Sequence, residues 1–310
     1  MKTAFLFSGQ GAQTVGMMKD IFENSPAAKR FFEKADRILG RSISSLCFDG
    51  PQEALNLTLN TQPCVLAADL AAYAAITEAG IRPDAVAGFS LGEYAALNAA
   101  GVLKENDVFP LIQKRADFMQ EAVPVGEGAM AAVMKLPVEE VKALCNEAEG
   151  YVVPANYNCP GQIVVSGETK AVDSLIALAK TRKIRAMKLP VSAPFHCEMM
   201  APAAEKLSFY MDELCFSKPT IPVYMNVDAK VETNQDAIKN KLVAQAKSPV
   251  HWEETLRNMA NDGVDTFIEL GPGTTLSGFV KKTFPENETI RILNVSDQAS
   301  LERTLNGLGG

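Results

Sequence analysis

Between Ala85 and Leu97 the chain reads Ala85-Val86-Ala87-Gly88-Phe89-Ser90-Leu91-Gly92-Glu93-Tyr94-Ala95-Ala96-Leu97. A short apolar strand runs into Gly-x-Ser-x-Gly and then directly into an alanine-rich helix. That shape is a nucleophile elbow: the serine sits on a strained strand-to-helix turn at the carboxyl edge of a sheet, hydroxyl exposed, with the next residue's N–H free for an oxyanion. Gly88 and Gly92 lack a Cβ, so strand and helix backbones can approach closely around Ser90. Gly101 stands where a C-cap glycine ends such a helix.

A chain of 310 residues, 47% of them hydrophobic, can bury a full core as one large domain or two smaller ones. The net charge of −7, with acids and bases interleaved, offers no basic surplus for nucleic acid or an anionic membrane. The longest apolar stretches, Val65 to Ile76 and Leu175 to Ala179, are short or interrupted. Met1 to Phe7 lacks the apolar region and cleavage site of a signal peptide. A cytoplasmic location is the expectation. Cys47, Cys64, Cys145, Cys159, Cys197 and Cys215 form no Cys-x-x-Cys pair and read as reduced core residues, with no metal site expected.

Thr3 to Phe7 reads as a buried strand that ends in the tight loop Ser8-Gly9-Gln10-Gly11. Thr61-Gln62-Pro63 reads as a helix start, with Thr61 as N-cap and the proline in the first turn, and the helix continues to about Ala79. A second helix is expected from about Asn106 to Ala122, its start blurred by Pro110. From Gly128 the pattern changes to strand (to Met134), helix (Pro137–Ala148), strand (Tyr151–Tyr157), strand (Gln162–Gly167), helix (Thr169–Lys180) and strand (Arg185–Val191). That βαββαβ order is ferredoxin-like. The expected fold is therefore α/β: a core with a parallel sheet formed by residues 1–125 and 192–310, with strands such as Val223–Val227 and Thr266–Leu270, and a ferredoxin-like insert at 126–191.

A serine hydroxyl needs a base within hydrogen-bond reach, and histidine is the usual one. The chain has only two histidines. His196 lies in Val191-Ser192-Ala193-Pro194-Phe195-His196-Cys197, after the last strand of the insert, and proline fixes that loop. His251 lies in Ser248-Pro249-Val250-His251-Trp252, just ahead of a helix. Position favours His196.

These residues collect into a resemblance. Phe7-Ser8-Gly9-Gln10-Gly11-Ala12-Gln13, Asn60-Thr61-Gln62-Pro63, Gly88-Phe89-Ser90-Leu91-Gly92, Arg115 through Met119 and Gln120, Asn156-Tyr157-Asn158-Cys159-Pro160-Gly161-Gln162, Pro194-Phe195-His196 and Gly271-Pro272-Gly273 occur in the order typical of malonyl-CoA:acyl carrier protein transacylases. The resemblance spans almost the whole chain. It implies an α/β-hydrolase-like core with a ferredoxin-like insert and a site in the groove between them.

It further implies ping-pong transfer: Ser90 takes malonyl from malonyl-CoA, and the phosphopantetheine thiol of acyl carrier protein then removes it. His196 would be the base, and the N–H groups of Gln10 and Leu91 the oxyanion donors. Arg115, which the helical pattern alone would place on a solvated face, matches the arginine that grips the malonate carboxylate. Met119, Phe195, Gln62 and His251 would complete the substrate site. A carbonyl in the Ser-Pro-Val-x-Trp region would orient the base, and the ring of Phe195 would restrict substitution at the malonyl α-carbon. No metal or cofactor is implied.

The family usually has histidine where this chain has Phe89, expected to alter packing more than chemistry. Lys180, Arg182, Lys183, Arg185 and Lys188 cluster near the end of the insert, where an acidic carrier could dock or where they could simply be a solvated helix end. The alternatives are a free-standing acyltransferase of a polyketide pathway, a serine esterase of the α/β-hydrolase type, and a catalytically weak acyl- or carrier-binding module. An esterase would place its histidine late, after an acidic partner. Here more than a hundred residues follow His196.

Overall fold

Thr3–Phe7 forms strand β1, buried along its whole length. Phe5 and Phe7 face one apolar layer, while Ala4 and Leu6 face the other. A strand covered on both faces reads as a continuous apolar run, which is why no alternation marks it. The remaining strands are β2 (Ala85–Gly88), β3 (Gly128–Met134), β4 (Val152–Cys159), β5 (Gln162–Glu168), β6 (Arg185–Lys188), β7 (Val223–Tyr224), β8 (Val231–Glu232), β9 (Thr266–Leu270) and β10 (Arg291–Val295). This computed structural model describes residues 1–191 and 193–309. Ser192, at which the second core segment is expected to resume, lies outside the described residues, as does Gly310.

Two sheets result. The larger runs β10-β9-β1-β2-β7-β8, parallel throughout except for the antiparallel edge strand β8. The smaller runs β4-β5-β3-β6 and is antiparallel. In the large sheet the connections reverse direction at β1, whose neighbours are β9 and β2. The loops after those strands therefore open a crevice at their carboxyl ends. The small sheet contributes the opposite wall. Ala129, Ala131 and Val133 of β3 pack on the helices Val138–Glu147 and Thr169–Thr181, while Met130 and Ala132 point the other way, into the crevice. Backbone hydrogen bonds tie β4 of the small sheet to the segment ahead of the helix Trp252–Asn261: Tyr157 N–H donates to Val250 O, and Val250 N–H to Ala155 O, each over 2.9 Å.

Several boundaries differ from expectation. The helix assigned to Thr61–Ala79 begins at Thr58 and ends at Glu78, so Thr61 is not its N-cap. Pro63 lies inside the helix, where it cannot donate to the carbonyl four residues earlier. That carbonyl, of Leu59, instead accepts from Arg41 Nη2 at 3.0 Å and Gln113 Nε2 at 3.2 Å. The next helix, Glu105–Ala122, runs through Pro110 and starts one residue before expected. β6 stops at Lys188 because Pro190 follows; Leu189 still donates to Met130 O at 2.9 Å. β7 ends at Tyr224, since a turn from Met225 to Lys230 takes the chain into β8. Five cysteines are buried as expected, but Cys215 is exposed. Among the described residues no helix is long and apolar enough to cross a membrane.

Candidate active site

The elbow forms because two glycines allow it. A Cβ on Gly88 would lie 1.9 Å from the carbonyl carbon of Gly92, and one on Gly92 would lie 2.3 Å from Phe7 O. Ser90 is held at φ 54°. A left-handed conformation costs a non-glycine residue about 1–3 kcal/mol and persists only where the surroundings enforce it. Asn226 does so from both sides: its Oδ1 accepts from Ser90 N–H at 2.8 Å, and its Nδ2 donates to Gly88 O at 2.7 Å.

His196 reaches the serine from the loop beyond β6. It is buried, at φ 61°, and its Nε2 lies 2.7 Å from Ser90 Oγ. Its Nδ1 lies 2.8 Å from Gln245 O. A carbonyl can only accept, so Nδ1 carries the proton and Nε2 presents its lone pair to the hydroxyl. The carbonyl nearest Nδ1 is thus that of Gln245, three residues ahead of the Ser248–Trp252 segment where the resemblance put it, and the Ser248 backbone also acts on the ring. Gln245 ends the helix Gln235–Gln245, and last-turn carbonyls have no intrahelical donor. Burial first, and the Arg115 charge second, lower the His196 pKa to about 4, against hydrogen bonds to the backbone of Gln245 and Ser248. The ring is neutral at physiological pH, as a base must be.

Arg115 is only 2% exposed, which overturns the solvated position that its helix pattern implies. Its guanidinium donates from Nη1 to Gln62 Oε1 at 2.8 Å, and from Nη2 to Gln245 Oε1 at 3.0 Å and to Ser90 Oγ at 3.1 Å. All three partners are neutral, and Nε has no partner among the described residues. The Tyr94 ring lies 5.4 Å from the guanidinium carbon. Burial lowers the Arg115 pKa, with Tyr94 and Glu93 opposing. A buried cation whose direct partners are all neutral is a candidate site for an anion.

Behind this group stands Glu93, wholly buried in the first turn of the elbow helix. Its Oε1 accepts from Asn226 N–H at 2.7 Å and its Oε2 from Gln245 Nε2 at 2.5 Å. Desolvation raises its pKa, while the Asn226 and Gln245 hydrogen bonds and the Arg115 charge pull it back toward the ionised form that both donors address.

A cavity of about 250 Å³ opens over Ser90, between the two sheets. Gln10, Gln62, Arg115, Phe195 and His196 line it, as do Met130 and Ala132 of β3. Gln10 sits on the loop after β1, its side chain donating to Thr58 Oγ1 at 3.3 Å. Leu91 caps the helix Gly92–Ala99. Neither Gln10 N–H nor Leu91 N–H donates a hydrogen bond among the described residues.

Two expected substrate residues lie outside the lining. Met119 is buried beneath Gln62, whose Nε2 is 3.8 Å from its sulfur. His251 stacks on Tyr157 at 5.2 Å and faces Glu254. Phe89 packs edge-on against Trp252 at 5.4 Å and near Phe279 at 6.1 Å, and its ring underlies Gly9. Sequence reasoning missed Asn226, Gln245 and Glu93. An acid in a helix's first turn is already explained by the helix dipole, and the two amides follow no motif. Among the described residues no group of three metal-ligating side chains occurs.

Residues 4–303 match the acyl transferase domain family. The chain is 47% identical over 311 residues to the malonyl CoA-acyl carrier protein transacylase of Bacillus subtilis, covering 99% of this chain and 97% of that one. It superposes with a TM-score of 0.95 on the crystal structure of the malonyl CoA-acyl carrier protein transacylase from Clostridium perfringens, at 43% identity, covering 100% and 98% of the two chains. The same score, at 39% identity and 99% and 100% coverage, relates it to a malonyl-transacylase in complex with its type II PKS acyl-carrier protein.

Proposed function

The chain belongs to the malonyl CoA-acyl carrier protein transacylases of the acyl transferase family, and we propose that Ser90 and His196 carry out its transfer of malonyl groups from malonyl-CoA to acyl carrier protein. The product serves fatty acid biosynthesis. His196 Nε2 takes the hydroxyl proton as Ser90 Oγ attacks the thioester carbonyl. The tetrahedral oxyanion is held by the N–H groups of Gln10 and Leu91, and losing one such donor costs about 3 kcal/mol. Collapse breaks the C–S bond. The CoA thiolate leaves with the proton from Nε2, and malonyl-Ser90 remains.

In the second half the carrier's thiol gives its proton to Nε2 and its sulfur attacks the ester. Ser90 Oγ departs and recovers the proton. Both half-reactions use one base and one oxyanion pocket, so the enzyme returns to its starting state.

The observation that carries this reading is Arg115, buried among neutral oxygens and 3.1 Å from the nucleophile. Its planar fork suits the two oxygens of the malonyl carboxylate. Gln62 fixes the fork from behind, Met119 packs beneath Gln62, and Phe195 restricts the space for substituents on the malonyl α-carbon. His251 acts by supporting Tyr157 and the adjoining backbone.

The finer fold assignment belongs to the same reading: an α/β-hydrolase-like core at 1–125 and 192–310, with a ferredoxin-like insert at 126–191. The β4-β5-β3-β6 order, with helices after β3 and β5, favours the second part. A cytoplasmic location and independence of metal or cofactor complete it. In the basic cluster Arg182 pairs with Glu147, and Lys188 with Asp173, so exposed Lys180, Lys183 and Arg185 are the members offered to an acidic carrier. Likeness to a transacylase bound to a polyketide carrier supports a second acceptor class for the same chemistry.

Intact-mass measurement after mixing with malonyl-CoA tests the reading. A malonyl adduct on Ser90 that discharges to holo carrier is expected. Rapid loss to water would mark an esterase, and no adduct a binding module.

A further inference from the structure

Gln245 stands at the centre of four contacts. Its backbone oxygen orients His196, its Oε1 accepts from Arg115 Nη2, and its Nε2 donates both to Ser90 O at 2.8 Å and to Glu93 Oε2 at 2.5 Å. A side-chain amide placed the other way round would set an N–H₂ against the guanidinium and an oxygen against Ser90 O. Something must fix which end faces Arg115. Ser90 O is one such group, and Glu93 is the other.

Glu93 has donors aimed at both of its oxygens, Asn226 N–H on Oε1 and Gln245 Nε2 on Oε2. That pattern is that of the carboxylate, which accepts at both ends and donates at neither. Through Asn226 the same carboxylate reaches Ser90 N–H and Gly88 O. One buried acid thus joins the carboxylate clamp to the elbow, although it touches neither the cavity nor the reacting serine oxygen.

We propose that Glu93 is a positioning residue for malonyl selectivity: acting through the Gln245 amide, it holds Arg115 aligned with Ser90 so that an acyl group carrying a carboxylate is received in register for attack. The proposal rests on the malonyl-transfer reading and adds to it a determinant outside the cavity lining.

The chemistry of Glu93→Gln gives the test. A glutamine there keeps the shape but has one acceptor and one donor. With its oxygen on Asn226 N–H, its N–H₂ meets the N–H₂ of Gln245, and turning either amide moves the donor clash to Asn226 or to Arg115. A lost or opposed hydrogen bond to a charged group weakens the clamp by about tenfold or more. Acetyl groups make no use of the clamp.

Malonyl and acetyl transfer rates are therefore measured on wild type, Glu93→Gln and Glu93→Asp, with melting temperatures recorded for each. The expected result is a fall of about tenfold in the malonyl:acetyl ratio for Glu93→Gln, through loss of malonyl transfer, and a smaller fall in Glu93→Asp, whose carboxylate opposes neither donor but sits one methylene back from both. A ratio unchanged in Glu93→Gln, with both rates falling together alongside stability, overturns the proposal and leaves Glu93 a structural residue. If Glu93→Gln does not fold, Gln245→Met removes the relaying amide while keeping the backbone carbonyl, and an unchanged ratio there overturns it equally. Failure of the malonyl-transfer reading is separately visible, because wild type itself would then show no preference for malonyl.

Discussion

Arg115 donates a hydrogen bond to the oxygen of Ser90, Nη2 to Oγ over 3.1 Å, so the buried cation rests on the nucleophile itself. The charge proposed to select the acyl group and the atom proposed to receive it are adjacent. Arg115→Ala should lower malonyl transfer by about a hundredfold or more, in line with the roughly 3 kcal/mol lost when a buried charge partner is removed, while acetyl transfer rises in relative terms. Arg115→Lys should recover only part of the preference, since an ammonium cannot offer two parallel donors. Competition between malonyl-CoA and acetyl-CoA reads the ratio; an unchanged value would show that the clamp lies elsewhere.

The pH dependence follows from His196. Its ordinary pKa of 6.5 is lowered to about 4 in the folded chain, by burial first and Arg115 second. Between these values the unfolded chain binds a proton that the folded chain does not. Stability is therefore lost as pH falls from 6.5 toward 4, by up to about 3 kcal/mol, and unaffected by this group above 6.5. The base stays neutral over the same interval, so kcat/KM for malonyl-CoA should hold down to about pH 5 and fall about tenfold per unit only below 4. In Arg115→Ala, with the cation gone but the burial kept, the acidic midpoint should move up yet stay below 6.5. Stopped-flow acylation at graded pH measures both limbs, and a wild-type midpoint near 6.5 would contradict the buried, neutral ring.

The two histidines should separate cleanly. His196→Ala removes the base and should cost about two to four orders of magnitude in acylation. His251→Ala removes a ring stacked on Tyr157 and facing Glu254, with an expected loss below about tenfold. Single-turnover acylation of the two variants compares them, and a larger loss in His251→Ala would reverse the assignment.

Charge reversal at Lys183 and Arg185 should raise the KM for holo acyl carrier protein several-fold, and more at low ionic strength, because surface charges steer encounter and are screened by salt. Acylation by malonyl-CoA should be unchanged. Equal carrier affinity in the reversed variant would move the docking surface away from the β6 edge.

How much of this was legible depended on whether a residue's neighbours are set by local pattern. The elbow, β1 and the βαββαβ order are local: period, glycine and turn residues announce them. Thr61 looked like an N-cap because the hydroxyl-proline pair is a helix-start signal, yet the helix accommodates Pro63 by giving Leu59 O to Arg41 and Gln113. Arg115 could not be recognised as buried from its own helix, since what surrounds it comes from Gln62, Ser90 and Gln245, which are distant in sequence. Asn226 and Gln245 carry no signal of their own, because a single amide acquires meaning only from what the fold puts beside it. Phe89 illustrates the reverse case: half-buried, it packs on Trp252 and Phe279, as a phenylalanine suggests, and also lines the cavity over Ser90.

The small sheet lies between the nucleophile and its base in chain order, and that has a consequence for synthesis. A ribosome makes Ser90 and Arg115 first, the residues of β3 to β6 next, then His196, and only afterwards Asn226 and Gln245. Until the helix ending at Gln245 has emerged and docked, the imidazole has no carbonyl to fix its tautomer and the elbow serine has no amide to brace it. A growing or truncated chain therefore carries an unactivated serine until the helix ending at Gln245 has docked.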